Sequence, residues 1–106
     1  MQTFNLTKTY SGNVKAVQGI SFDVGSNCEI LGLLGANGAG KSSTFNMVTM
    51  QIKRTSGDIA IFGEDISVIQ NLQNINITAQ HDILWPYLSI KEHFKIISMI
   101  QGKPQF

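Results

Sequence analysis

The sequence predicts an α/β fold with an antiparallel β annex, and three observations carry that prediction. Two alternating segments joined by turn residues open the chain, an apolar run then leads directly into a glycine-rich loop, and helical spacing follows the loop. With 106 residues, 42% of them hydrophobic, the chain has enough apolar material for one core and too little length for several domains.

Phe4, Leu6 and Tyr10 alternate with Asn5, Thr7 and Thr9; Ser11-Gly12-Asn13 supplies a turn; and Val14, Ala16, Ile20, Phe22 and Val24 alternate again. This predicts an antiparallel hairpin. A second turn at Gly25-Ser26-Asn27 precedes Glu29-Ile30-Leu31-Gly32-Leu33-Leu34, which is apolar on both faces and predicts a strand buried within a parallel sheet. Behind the glycine-rich loop, Phe45, Val48 and Ile52 fall at helical spacing, so a helix is expected over 42–51, with Phe45, Met47 and Met50 in the core. Thr55-Ser56-Gly57 breaks it, Asp58 to Phe62 predicts a short strand, Gly63-Glu64-Asp65 a turn, and Asn74 to Thr78 a further strand. A helix over 89–101 has the clearest punctuation. Ser89-Ile90-Lys91-Glu92 is a capping box, Ile90, Phe94 and Ile97 share a face, and Gly102 with Pro104 closes it.

Composition excludes several roles. The net charge is +1 with basic residues scattered along the chain, so no electrostatic footprint for nucleic acid is present. The single cysteine, Cys28, gives no internal disulfide framework; it fits a reducing compartment and reads as a small buried filler. No apolar run approaches the ~20 residues that span a bilayer, and the first residues lack the pattern of a signal peptide. Charged residues make up 14% of the chain against about a quarter in ordinary domains, which points to surfaces meant to be covered.

Gly35-Ala36-Asn37-Gly38-Ala39-Gly40-Lys41-Ser42 satisfies G-x-x-x-x-G-K-S/T between a predicted strand and a predicted helix, the context this motif requires. Its residue types suit phosphate. Glycines let successive backbone N–H groups converge on phosphate oxygens, and the helix behind them contributes free donors and a positive dipole end. Lys41 reaches the β- and γ-phosphates, the Ser42 hydroxyl is suited to Mg²⁺, and Ser43 and Thr44 add donors. The loop alone leaves kinases, GTPases, motor ATPases and transport ATPases open. A hairpin ahead of the loop, and no N-K-x-D or D-x-x-G sequence, count against simple nucleotide kinases and small GTPases.

With those residues in view, nearly the whole chain resembles the nucleotide-binding domain of ATP-binding cassette (ABC) transporters. Thr9-Tyr10 ahead of residues 14–22 looks like the family's first strands, residues 33–44 are similar to its P-loop, including Asn37 and Ala39, and Thr55-Ser56-Gly57-Asp58-Ile59 with Phe62-Gly63 looks like its next hairpin. The run from Asp82 to Phe94 is similar to the family's continuation after the Q-loop, in wording nearest to subfamily A, the lipid-exporter-like branch. Three residues depart from the pattern: Cys28 stands where a glycine is usual, and Arg54 and Ala79 where prolines are.

The resemblance implies a partial P-loop NTPase domain of the ABC ATPase kind, with parallel core strands and the antiparallel annex. It implies that Tyr10 stacks on adenine and that Gly35, Asn37, Gly38, Ala39, Gly40, Lys41, Ser42 and Ser43 hold the phosphates of ATP. Ser42 and Gln80 would hold Mg²⁺, and Gln80, as the Q-loop glutamine, would position the attacking water and report nucleotide state to a transmembrane domain. A second nucleotide-binding domain would complete the site, at the cytosolic face of a membrane reached through transmembrane segments not in this chain. The Walker B carboxylates, signature motif and switch histidine of the family do not occur in these 106 residues, so the chain is expected to be the N-terminal part of such a domain and not to hydrolyse ATP by itself. His81 and His93 read as surface or packing residues, and Trp85-Pro86-Tyr87 either as packing under a loop or as a surface facing a transmembrane partner. A truncated chain that only binds nucleotide or a partner, and a soluble P-loop kinase, are the rival readings.

Overall fold

The computed structural model describes residues 1–25, 27–68, 75–81 and 84–103, which fall into two compact units, Met1–Ile75 and Asn76–Phe106. Ser26, Asn74, Asp82, Ile83 and Pro104, which the sequence places in turns, strand or motif, lie outside the described residues.

The first unit is built on the predicted hairpin. Strands β1 (Gln2–Tyr10) and β2 (Val14–Asp23) pair antiparallel, β3 (Ser56–Ile61) pairs antiparallel with the other edge of β1, and β4 (Glu64–Asp65) completes a sheet of order β2-β1-β3-β4. The short strand expected over 58–62 thus forms, shifted slightly towards the N-terminus. Its turn is Phe62-Gly63, both residues at positive φ as a primed two-residue hairpin requires, and Glu64 and Asp65 pair back instead of lying in the turn.

Strict alternation fails in β1, and a bulge is the cause. Asn5 takes φ 45°, the pairing register shifts between Thr3 and Leu6, and the extra residue brings Thr3 and Leu6 to the same buried face. Phe4 is displaced to the outside at 55% exposure, and Tyr10 stays 41% exposed. Both neighbouring strands carry glycine beside this bulge. At Gly19 a Cβ would lie 2.5 Å from Asn5 Oδ1, and at Gly57 it would overlap the Asn5 carbonyl oxygen. The Thr3 hydroxyl, taken inside, accepts from the Phe22 amide at 3.0 Å, so its burial leaves no unpaired polar atom.

Helix α1 (Lys41–Val48) lays Thr44, Met47 and Val48 inward. They join Leu6, Val17, Ile59, Ile61 and Ile66 in the core, with Ile20, Phe22 and Ile52 packed at its margin. Phe45 and Met50, expected inside, are exposed. For Met50 the reason is local: it adopts φ 59° and ends the helix in a Schellman motif, with its amide on the Met47 carbonyl and the Gln51 amide on that of Asn46. The helix therefore stops earlier than its apolar spacing suggests. Across the β3–β4 turn, Arg54 pairs with Asp65 at 3.0 Å, and Ser67 donates both its hydroxyl and its amide to the same carboxylate. Ser67 first, and Arg54 after it, hold the Asp65 carboxyl below its ordinary value.

Residues 29–34 depart from expectation. They form no strand, and Ile30 and Leu34 stand 97% and 91% exposed. A strand is defined by its ladder, and among the described residues none lies beside this run; every pairing formed there is antiparallel. The described part of 74–78 likewise carries no strand. Cys28 is exposed at φ 55°, not buried. The left-handed backbone explains why glycine suits this place better, since a Cβ there crowds its own backbone.

The second unit is organised by helix α2 (Ile90–Ile100). Both halves of its capping box form: the Ser89 hydroxyl accepts from the Glu92 amide, and the Glu92 carboxylate accepts from the Ser89 amide at 2.8 Å. The Ser89 hydroxyl, which also donates to the Glu92 carboxylate at 2.6 Å, and after it the Ser89 amide, lower the Glu92 pKa. Gly102, at φ 68°, ends the helix in a Schellman motif, its amide on Met99 and that of Lys103 on Ser98. His93 is half-buried against Trp85, ring centroids 5.3 Å apart; its Nε2 accepts from the Trp85 amide at 2.9 Å, which leaves Nδ1 to donate to the Ser89 carbonyl. His93 is thus a packing residue that closes the 85–89 turn.

Replacing Cys28 with glycine should stabilise the fold. Relief of the left-handed strain, about 1–2 kcal/mol, outweighs the extra freedom of glycine in the unfolded chain, leaving roughly 0.5–1 kcal/mol. Denaturant unfolding of Cys28→Gly beside the parent checks this; a loss of stability contradicts it.

Candidate functional site

The candidate site is the loop between the 29–34 run and α1, together with the end of β1. Gly38 and Gly40 take φ 81° and 92°, which turns the chain back on itself before the helix begins. At Gly40 the fit is close. A Cβ would overlap the Ala16 carbonyl oxygen and lie 3.3 Å from a Val17 methyl, so the loop passes directly over β2 at a point that only glycine allows. Beside this crossing lies a groove of about 340 Å³, whose lining includes Ala16, Gln18, Leu33, Gly40 and Lys41. That volume falls in the lower part of the range for small-ligand sites.

Within the loop, the Ala39 amide donates to the Ala36 carbonyl at 3.1 Å, and Lys41 Nζ donates to the carbonyls of Gly35 at 2.6 Å and Ala36 at 2.7 Å. The ammonium is thereby held inside the curl of the loop. The amides of Gly38, Gly40, Lys41, Ser42 and Ser43 donate to no backbone carbonyl among the described residues, and Gly40, as N-cap, brings no side chain to cap them. The first turn of α1 contains no acidic residue and begins with a lysine. Helix starts favour negative charge, so here free donors, dipole and ammonium all act with one sign. The arrangement fits an anion with several oxygens, which is the chemistry of a phosphate chain.

The Ser42 hydroxyl is exposed on the first turn and makes no hydrogen bond among the described residues, so it is free to ligate a hard cation beside the phosphates. Mg²⁺ takes few protein ligands and keeps most of its water, and one hydroxyl is a fitting share. Ser43 has a different partner: its Oγ lies 3.0 Å from the Tyr10 hydroxyl, which ties the end of β1 to the start of α1.

The structure therefore brings together Tyr10, Gly35, Asn37, Gly38, Ala39, Gly40, Lys41, Ser42 and Ser43 in the first unit. Gln80 belongs to the second unit, exposed at a bend. In that unit Trp85 is 43% exposed while it packs against His93, and Tyr87 is 96% exposed. One residue near the site has no role in the sequence reading. Lys8 sits with its ammonium 5.0 Å from the centre of the Tyr10 ring, and the available signal was their i, i+2 spacing, which puts both on one face of a strand.

A model of the ABC transporter family matches residues 17–105. Among curated proteins, the chain is 39% identical over 95 residues to ABC transporter A family member 1 of Dictyostelium discoideum, covering 86% of this chain and 10% of that protein. It is 38% identical over 91 residues to ATP-binding cassette sub-family A member 10 of Homo sapiens, covering 82% of this chain and 6% of the relative. It is 37% identical over 98 residues to the glucosylceramide transporter ABCA12 of Mus musculus, covering 91% and 4%. The chain thus spans a tenth or less of the length of these three relatives. Among solved structures, the ATP-binding subunit of an ABC transporter superposes with a TM-score of 0.81 at 23% identity, over 95% of this chain and 42% of the other; this likeness shows the fold.

A comparison of two glycine substitutions separates the crossing over β2 from ordinary backbone strain. Gly12 and Gly40 both have positive φ, but a Cβ at Gly12 meets open space. Gly12→Ala should cost about 1–2 kcal/mol, and Gly40→Ala distinctly more, because the Ala16 carbonyl must also move. Equal losses in denaturant unfolding would remove the proposed constraint.

Proposed function

This chain belongs to the ABC transporter family, as part of a subfamily A-like nucleotide-binding domain with the P-loop ABC ATPase fold, and on that premise we propose that it carries the ATP-binding half-site of a transport ATPase. The observation that carries the reading is the start of α1, where Lys41, free backbone amides and the helix dipole converge without an acidic neighbour. Gly35 and Asn37 to Ser43 bind the phosphates, Lys41 supplies charge to the β- and γ-phosphates, and Ser42 holds Mg²⁺. Tyr10 offers its exposed ring to adenine, and its bond to Ser43 joins the base and phosphate subsites. Gln80 contributes to Mg²⁺ and to the position of the attacking water. ATP, when bound, would supply the free energy of hydrolysis of its terminal phosphoanhydride bond.

Residues 1–106 are, in this reading, the N-terminal part of the domain, with the Walker B carboxylates, the signature motif and the switch histidine supplied by other residues of the native polypeptide. Two features support it: the solved ATP-binding subunit is matched over only 42% of its length, and the doubly apolar run 29–34 still needs strands on both sides. The partners are then a transmembrane domain, for which the exposed Trp85 and Tyr87 offer contact area, and a second nucleotide-binding domain that closes over the phosphates. The domain works at the cytosolic face of a membrane. Lipid is the proposed class of cargo, since a relative of similar identity carries the name of a glucosylceramide transporter.

Lys41→Ala in the full native polypeptide tests the reading. Loss of charge-assisted bonds to phosphate should weaken Mg-ATP binding by about ten- to a hundredfold, with partial recovery in Lys41→Arg. Unchanged affinity of Lys41→Ala in a nucleotide titration contradicts the assignment.

A further inference from the structure

Resting on the reading of Tyr10 as the platform for the base, we propose that Lys8 is a positioning residue that fixes the Tyr10 ring with its exposed surface available to a purine nucleoside triphosphate. Three contacts hold the ring and its holder. The Lys8 ammonium lies 5.0 Å from the ring centre, inside the range of a cation–π contact. The same ammonium donates at 2.7 Å to the Lys53 carbonyl. The Tyr10 hydroxyl is 3.0 Å from Ser43 Oγ.

The Lys53 carbonyl is itself well placed as an anchor. The segment that follows it is tied to β1 by the Thr55 amide on the Thr7 carbonyl at 3.0 Å and by the Thr9 amide on Thr55 Oγ1 at 2.9 Å. Lys8 therefore reaches a fixed acceptor across the edge of the sheet, and its charge cannot swing away from the ring without losing that bond. With the ammonium over the ring and the hydroxyl bound at its far edge, Tyr10 is still 41% exposed, and that exposed surface is what a base can reach. The cation also draws π density towards itself, which makes the exposed surface more attractive to an electron-rich purine. Lys8 touches neither the phosphate loop nor the cation site, so its influence should be confined to the base.

The test uses the full native polypeptide and two ligands, ATP and inorganic tripolyphosphate, each with Mg²⁺. Lys8→Met keeps an unbranched stem of four atoms and removes the ammonium. It should weaken ATP binding about two- to fivefold, leave tripolyphosphate binding unchanged, and have no further effect in a Tyr10→Ala background; Lys8→Arg should restore ATP affinity. Unchanged tripolyphosphate binding also establishes that the variant is folded. The proposal is overturned if Lys8→Met leaves ATP affinity intact, weakens both ligands equally, or acts just as strongly when Tyr10 is absent. If Tyr10→Ala alone does not alter ATP affinity, the platform reading itself falls and takes the role of Lys8 with it.

Discussion

At Gly40 the backbone crosses β2 so closely that no side chain fits between it and the Ala16 carbonyl. From this contact the rest of the site follows. It fixes where α1 begins and turns the helix start, with its free amides, towards the groove beside Ala16 and Gln18. It also brings Ser43 within reach of the Tyr10 hydroxyl. Thr44, Met47 and Val48 then secure the helix from below by entering the same core as Leu6 and Val17. A loop whose glycines cost entropy to order is thus held at both ends by packing, and Lys41 ties its interior together through two carbonyls.

The sheet makes its own contribution through irregularity. The Asn5 bulge changes which residues of β1 face inward, and it exists because β2 and β3 place Gly19 and Gly57 beside it. Further register shifts between Leu6 and Thr7 and between Lys8 and Thr9 carry the strand to its end, where Tyr10 is 41% exposed with the Lys8 ammonium over its ring.

How much of this could be read from the sequence depended on whether each device has a residue-type signature. The phosphate loop does, because G-x-x-x-x-G-K-S/T specifies both backbone freedom and charge. So does α2, where Ser89 and Glu92 announce the start and Gly102 the end, and the structure departs from expectation by a residue at each boundary. The end of α1 has none, since Met50 occupies the left-handed position that glycine usually marks, and the apolar spacing continues past the last helical residue, Val48. The bulge was equally silent: alternation counts residues, and an extra residue at Asn5 shifts every face after it. Residues 29–34 carry a strand's composition, but a strand also needs a neighbour, and composition holds no information about which residues supply one. The Lys8–Tyr10 contact was legible only as spacing on a strand, and spacing alone does not say that the ammonium finds a fixed carbonyl.

The central claim is that the amides from Gly38 to Ser43 form a cradle completed by the phosphates of a nucleotide. Hydrogen–deuterium exchange of the peptide spanning 35–44, in the full native polypeptide with and without Mg-ATP, addresses it most directly. The account predicts that Mg-ATP slows exchange across 38–43 more than elsewhere in the first unit, because the amides of Gly38 and of Gly40 to Ser43 gain acceptors that they lack among the described residues. Exchange in that peptide that stays the same at saturating Mg-ATP, with protection confined to other segments, would contradict it.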